Sequence, residues 1–152
     1  MAQQFVDIDN AREEEQTQVM EQILAADHCP FCEENLRQYH KQPIIRQTDH
    51  WLLTKNQWPY DHTSHHFLII YREHVEQLQA LDPAAGQELF ELIAWAEKEF
   101  NLPGGGVAMR FGDTRYSAGS VAHLHVQLLV PDIDDPDYEP VRVKIGKSPE
   151  KL

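Results

Sequence analysis

From residue 120 to residue 130 the chain alternates with period two, which predicts a strand. It would set His123, His125, Gln127 and Leu129 on one face and Leu124, Val126, Leu128 and Val130 on the other. The second set is leucine and valine and faces a core. The first set is too polar for a core and too regular for a loop, and Pro131 ends the strand. Side chains two apart on a strand stand roughly 6.5–7 Å from each other, so two imidazoles and an amide line up as neighbours.

Shorter apolar runs predict four more strands, over residues 44–47, 51–54, 67–71 and 107–111. Thr48, Asp49 and His50 join the first two. Two stretches carry the helical period. Residues 9–26 predict a helix capped by Asp9 or Asn10, with Glu13, Glu14 and Glu15 where the helix dipole favours acids. Its apolar stripe is Val19, Ile23 and Ala26, flanked by Met20 and Leu24. A second helix begins at Asp82 and Pro83, an N-cap followed by proline at the first helical position. Leu89, Leu92 or Ile93, Ala96 and Phe100 form its buried stripe, and Phe90 and Trp95 are read as core or interface. Residues 101–106, ending in three glycines, break that helix. They read as a flexible turn and not a phosphate cradle, because no P-loop lysine or following helix accompanies them. With no internal repeat and no linker, the chain reads as one α+β domain over 1–152, a mainly antiparallel sheet with the long helix on one face.

Composition narrows the function classes. The 152 residues are 41% hydrophobic with a mean hydropathy of -0.55, as expected of a soluble globular domain. No apolar run approaches the roughly 18–20 residues that span a bilayer, so no membrane role is expected. The start, Met1-Ala2-Gln3-Gln4, lacks the basic and apolar regions of a secretory signal. The 2 cysteines stand as C-x-x-C, which argues against a disulfide framework and for a reducing cytoplasm. A net charge of -12 excludes the basic footprint of nucleic-acid and anionic-membrane binders. It leaves room for a small phosphorylated ligand held by local donors.

Cys29-Pro30-Phe31-Cys32 has two chemical readings. A thioredoxin-like redox motif should follow a strand in a βαβ setting, whereas here a helix precedes it. Half of a zinc site needs two more ligands, and the chain offers 9 histidines. The polar face of the 120–130 strand is likewise open to a metal-binding His pair, to a half-solvated sheet face, or to catalysis. Arg110 and Arg115 flank it in sequence, and a guanidinium matches the geometry of phosphate.

His123-x-His125-x-Gln127 followed by apolar residues resembles the signature strand of the histidine triad (HIT) superfamily, with glutamine in place of the third histidine. That variant is similar to the branch of galactose-1-phosphate uridylyltransferase and the dinucleoside tetraphosphate phosphorylases. The short single-domain length is more like the HIT hydrolases. Asn56-x-x-Pro59-Tyr60, then His66-x-Leu68-x-Ile70 and His74, resembles the loop and strand that shape the family's nucleotide pocket. The loop from Pro59 to His66 is longer than in compact members, so His65 competes with His66 for the matched position.

The resemblance implies a HIT-like fold between an N-terminal helical extension (1–28) and a C-terminal extension (132–152); the acidic, proline-punctuated composition of the latter predicts a partly ordered tail that packs on a partner subunit. It implies a homodimer, a structural zinc on Cys29, Cys32, His74 and His123, and His125 as the nucleophile that attacks the α-phosphate of a nucleotide or dinucleoside polyphosphate. Gln127 would donate to a non-bridging oxygen and Ser120 to the phosphoryl or bridging oxygen. His66 would orient the active histidine, Asn56 would hold the ribose, and Arg110 stands where HIT hydrolases commonly carry asparagine. A zinc-stabilised nucleotide-binding module without turnover, and a redox C-x-x-C protein, are the readings from other classes.

Overall fold

Five strands form one antiparallel sheet in the order β1-β2-β3-β5-β4, seen in a computed structural model that describes residues 4–152. They are β1 (Ile44–Gln47), β2 (Trp51–Lys55), β3 (Thr63–Tyr71), β4 (Gly106–Arg110) and β5 (His125–Pro131). The first three residues, on which part of the signal-sequence reading fell, lie outside the described region. Among the described residues no helix is long and apolar enough to cross a membrane.

The β1–β2 hairpin closes at Thr48, whose backbone N–H donates to the Trp51 carbonyl across 2.9 Å. β2 then lays Trp51 and Leu53 on one face of the sheet and Leu52 and Thr54 on the other. The first face belongs to helix α3 (Pro83–Glu99), which starts as the sequence predicts: the Asp82 carboxylate accepts from the Ala84 N–H at 2.9 Å. Ala85, Leu92 and Ala96 of α3 pack on Trp51, Leu53, Phe67, Ile69 and Val126. The indole N–H of Trp51 donates to the Ala85 carbonyl, locking the helix to the sheet. Leu89, Ile93, Phe100 and Trp95 flank this core half-buried, whereas Phe90 is 74% exposed and belongs to neither core nor any described interface.

The opposite face carries α1 (Glu14–Ala26) and α2 (Glu33–Tyr39). Helix α1 begins later than Asp9. Asp7 caps a single 3-10 turn, Ile8–Asn10, by accepting from the Asp9 N–H, and the Asn10 side chain is spent on the Gly119 carbonyl. Neither predicted cap is therefore free to start the α-helix. The buried stripe of α1 is Gln16, Met20 and Ile23, with Leu24 and Ala26 turned outward. Helix α2 carries no sequence expectation; Leu36 and Tyr39 bury it against Leu52, Leu68 and Ile70 and against α1.

Regular pairing in β5 starts at His125, five residues after the alternation begins. Upstream, Val121 makes one isolated bridge to Val6, and the Leu124 N–H donates to the Val75 carbonyl. The alternation nevertheless holds. His123, His125, Gln127 and Leu129 are all buried, so the expectation that they are too polar for a core fails. Burial is tolerated there because the polar atoms find partners or face a cavity, as described below. At the glycine turn before β4, a Cβ on Gly105 would lie 2.2 Å from the Leu129 carbonyl oxygen. That close approach, more than flexibility, requires glycine.

The tail after β5 has no regular structure beyond a 3-10 turn at Pro149–Lys151, and it folds back on its own chain. Lys147 sits between Asp7 and Asp9 at 3.0 Å from each, and the Lys144 carbonyl accepts from the Arg110 guanidinium at 2.8 Å.

Candidate functional site

Cys29, Cys32, His74 and His123 offer ligand atoms that all lie within 4.8 Å of one another, a cluster that could hold a metal ion. Three elements supply them. Cys29 precedes α2 and Cys32 is its N-cap residue, His74 follows β3, and His123 precedes β5. The Asn35 amide donates to the Cys29 carbonyl and fixes the loop. The Cys29 sulfur is 3.3 Å from His123 Nδ1, and the Cys32 sulfur is 3.5 Å from His74 Nδ1 and 3.9 Å from His123 Nδ1. Metal–ligand bonds of about 2.3 Å to sulfur and 2.0–2.1 Å to nitrogen in a tetrahedron give sulfur–nitrogen edges of roughly 3.5 Å, which these distances bracket.

The tautomer of His123 fits as well. Its Nε2 lies 2.6 Å from the Tyr71 carbonyl, which can only accept, so Nε2 carries the proton and Nδ1 keeps its lone pair toward the sulfurs. Burial pulls His123 down to about 4 and pushes Cys29 up; burial, with Cys29 beside it, pushes Cys32 to about 12. Two neighbouring thiols resist joint ionisation unless a cation joins them.

Two residues on, His125 presents the opposite tautomer to a different surface. Its Nδ1 is 2.7 Å from the His123 carbonyl oxygen and must donate, which leaves the Nε2 lone pair free. Burial, with Arg110 beside it, lowers His125 to about 4, so the ring is neutral at pH 7. The edge of Phe31 packs against the ring with centroids 5.1 Å apart, between the metal-site loop and the imidazole.

Gln127 is oriented from behind. The Tyr60 backbone N–H donates to His66 Nδ1 at 3.0 Å, so His66 Nε2 carries the proton and donates to Gln127 Oε1 at 2.7 Å. The Gln127 amide N–H groups then point away from His66 and toward the cavity. Asn56 Nδ2 lies 3.2 Å from the same His66 nitrogen, which has no lone pair left to offer it. Since Asn56 Oδ1 accepts from the Trp58 N–H, its amide donors also remain available. The register settles His65 against His66: His66 pairs Leu129 on the buried polar face, whereas His65 stacks on Phe67 at the opposite face. His66 is hydrogen-bonded to Gln127 and not to His125, which lies near enough to act on it electrostatically.

His125, Gln127, Ser120, Asn56 and Arg110 line one cavity of about 500 Å³, bounded by α1, the 56–62 loop and the C-terminal tail. Arg115 does not join them. Its guanidinium is bound to Asp113 on the exposed surface, because both belong to the one-turn helix α4 (Thr114–Ser117) and its cap. Sequence reasoning missed Arg12 and the tail residues Glu139, Arg142 and Lys144 in the cavity wall. Arg12 lies in a stretch that reads as a solvated acidic helix, and a tail without periodicity carries no signal of where it packs.

Solved structures with this fold include a histidine triad protein from Clostridium difficile, at 21% identity, TM-score 0.55, covering 73% of this chain and 96% of that one. A hypothetical histidine triad nucleotide-binding protein from Sulfolobus tokodaii matches at 20% identity and TM-score 0.54, over 80% of this chain and 83% of that one. A hypothetical protein from Leishmania major matches at 21% identity and TM-score 0.57, over 78% and 86%. At these identities the likeness is one of fold. No curated protein is significantly similar to the chain. The model of the HIT domain matches residues 37–132, which hold every strand of the sheet together with His66, His74 and the His123-x-His125-x-Gln127 run, and the chain therefore belongs to the HIT domain family.

Proposed function

We propose that this protein is a nucleotide hydrolase or nucleotidyltransferase that cleaves at the α-phosphate of a nucleotide or dinucleoside polyphosphate through a covalent nucleotidyl-histidine. The observation that carries this reading is the free Nε2 lone pair of a neutral His125 at the wall of a cavity, with Nδ1 tied to the His123 carbonyl. A neutral imidazole needs no separate base to act as nucleophile.

In the first step the Nε2 pair forms a bond to phosphorus, and the bond to the distal phosphate oxygen breaks, the leaving group keeping that electron pair. In the second, an oxygen of water or of a phosphate attacks phosphorus, the P–N bond breaks and its pair returns to Nε2. A water acceptor leaves one proton on the product phosphate and gives up the other to bulk water. The Gln127 N–H groups, preset by His66, donate to a non-bridging oxygen in both steps, and Ser120 donates to the departing oxygen. Arg110, paired across the sheet with His125, neutralises phosphate charge, and Asn56 holds the sugar.

Cys29, Cys32, His74 and His123 would hold zinc, which suits two thiols and two imidazoles in a closed tetrahedron. When bound, the metal supplies structure only: it ties the N-terminal segment to the start of β5 and fixes the His123 backbone that His125 leans on. The chain acts as a homodimer in the cytoplasm by the same reading.

Incubation with a dinucleoside tetraphosphate, quench in alkaline denaturant, which spares a P–N bond, and intact-mass analysis should reveal one nucleotidyl group on wild-type protein and none on His125→Ala. Added inorganic phosphate decides the acceptor: a nucleoside diphosphate product places the chain with the phosphorylases, a monophosphate with the hydrolases. Tight binding of AMP or GMP without any adduct or turnover would reduce the protein to a zinc-stabilised binding module.

A further inference from the structure

The chain carries 13 Lys and Arg against 25 Asp and Glu, yet five of the 13, Arg12, Arg110, Arg142, Lys144 and Lys151, line this one cavity, against three of the acids. In an acidic protein, cations thus outnumber acids around this one hollow. Two of them are built in with care. Tyr60 stands between them: the Arg12 guanidinium lies over its ring, 4.3 Å from the centroid, and Arg110 Nη1 donates to its hydroxyl at 3.1 Å. Arg12 also donates to the Trp58 carbonyl, and Arg110 to the Lys144 carbonyl. Among the described residues neither guanidinium has a carboxylate within 4.0 Å, although the chain has acids in excess. Each is held by an aromatic ring or by neutral oxygens, and the carboxylates of Glu13 and Asp61 act on Arg12 without forming an ion pair with it.

The three groups form a series leading away from the imidazole. Arg110 is the strand partner of His125, Tyr60 is bonded to Arg110, and Arg12 lies on the far contact of Tyr60. Arg12 precedes residue 37, where the match to the family begins, so it belongs to this chain's own N-terminal extension.

We infer that Arg12 and Arg110, spaced by Tyr60, form an anion subsite for the phosphates beyond the α-phosphate, and that the preferred substrate is a polyphosphate whose leaving group carries two or more negative charges. The inference rests on the reading of His125 as the group at the α-phosphate. The planar guanidinium fork suits such a chain of phosphates, and stacking on Tyr60 orders it before the ligand arrives.

The test compares binding of AMP with that of α,β-methylene-ATP, which adds two phosphates and resists cleavage at the α-phosphate. Calorimetry on the wild-type chain should give at least about tenfold tighter binding of the longer probe, one charge-assisted pair being worth about that factor. Arg12→Gln should remove most of that advantage. Arg12→Lys, which keeps charge without the planar fork, should recover part of it, and thermal melting checks that both variants are folded. Equal affinity for the two probes in the wild type, or an unchanged ratio in Arg12→Gln, overturns the subsite. Failure of the catalytic reading looks different: the ratio and its dependence on Arg12 persist, but no adduct forms on His125.

Discussion

The Nδ1–H of His125 meets the backbone carbonyl of His123 at 2.7 Å, while the His123 ring turns its own Nδ1 to the cysteine sulfurs. One tripeptide thereby joins a metal-type cluster to an imidazole with a free lone pair. The two rings carry opposite tautomers because each is fixed by a different carbonyl, Tyr71 for the first and His123 for the second. Their chemical separation comes from the backbone between the Cys29, Cys32, His74 and His123 cluster and the cavity.

Replacing His125, the proposed nucleophile, should abolish chemistry without unfolding the chain. His125→Ala leaves a modest gap under Phe31 at the edge of an existing cavity, so the fold should survive. Turnover of a dinucleoside tetraphosphate should fall on the order of 10³-fold or more, and the adduct should vanish. A variant retaining wild-type turnover would remove His125 from the nucleophile's role.

Loss of one thiol should act on stability first. Cys29→Ser replaces a soft anionic donor by a hydroxyl, so zinc measured by elemental analysis should fall well below one per chain, and the thermal midpoint should drop. Activity per folded molecule should fall less than zinc content does. Unchanged zinc stoichiometry would show that Cys29 is not a ligand.

Gln127 works as an amide held in one orientation. Gln127→Ala removes the donors facing the cavity and should cost about 10²-fold in kcat. Gln127→Glu should cost more, since it sets a carboxylate against phosphate. His66→Gln, which only loosens the amide, should cost less than either. Rates that follow the opposite order would break the link from His66 through Gln127 to the phosphate.

These residues differ in how far the sequence betrays them. Strand alternation around His125 and the N-cap at Asp82 were legible because each is a local pattern. The start of α1 was not, since Asp7 and Gly119 claim Asp9 and Asn10 through contacts that no local rule encodes. His123, His125 and Gln127 read as too polar for a core because burial of polar groups depends on partners such as Tyr71 and His66, which lie far away in sequence. Arg115 shares residue type and neighbourhood with Arg110, yet a nearby Asp113 captures it. Type and spacing propose a site; competition among partners decides its membership.

The buried His66 should leave a signature in stability against pH. Burial lowers its pKa from 6.5 to about 4, even though the bond to Gln127 works in the other direction. The unfolded chain therefore takes up this proton near pH 6.5 and the folded chain only near pH 4. Between those values the unfolded state holds more protons, so the contribution of His66 is complete above about pH 6.5 and is lost as pH falls toward 4. At pH 5 the loss amounts to about 2 kcal/mol, from 1.36 kcal/mol per pH unit. Urea unfolding at pH 7.5 and pH 5 measures it. His123 and His125 add losses of the same sign, so the diagnostic quantity is the difference between wild type and His66→Gln: the variant should lose about 2 kcal/mol less over this interval. An identical loss in both proteins would mean that His66 is not held neutral against Gln127 in the folded chain.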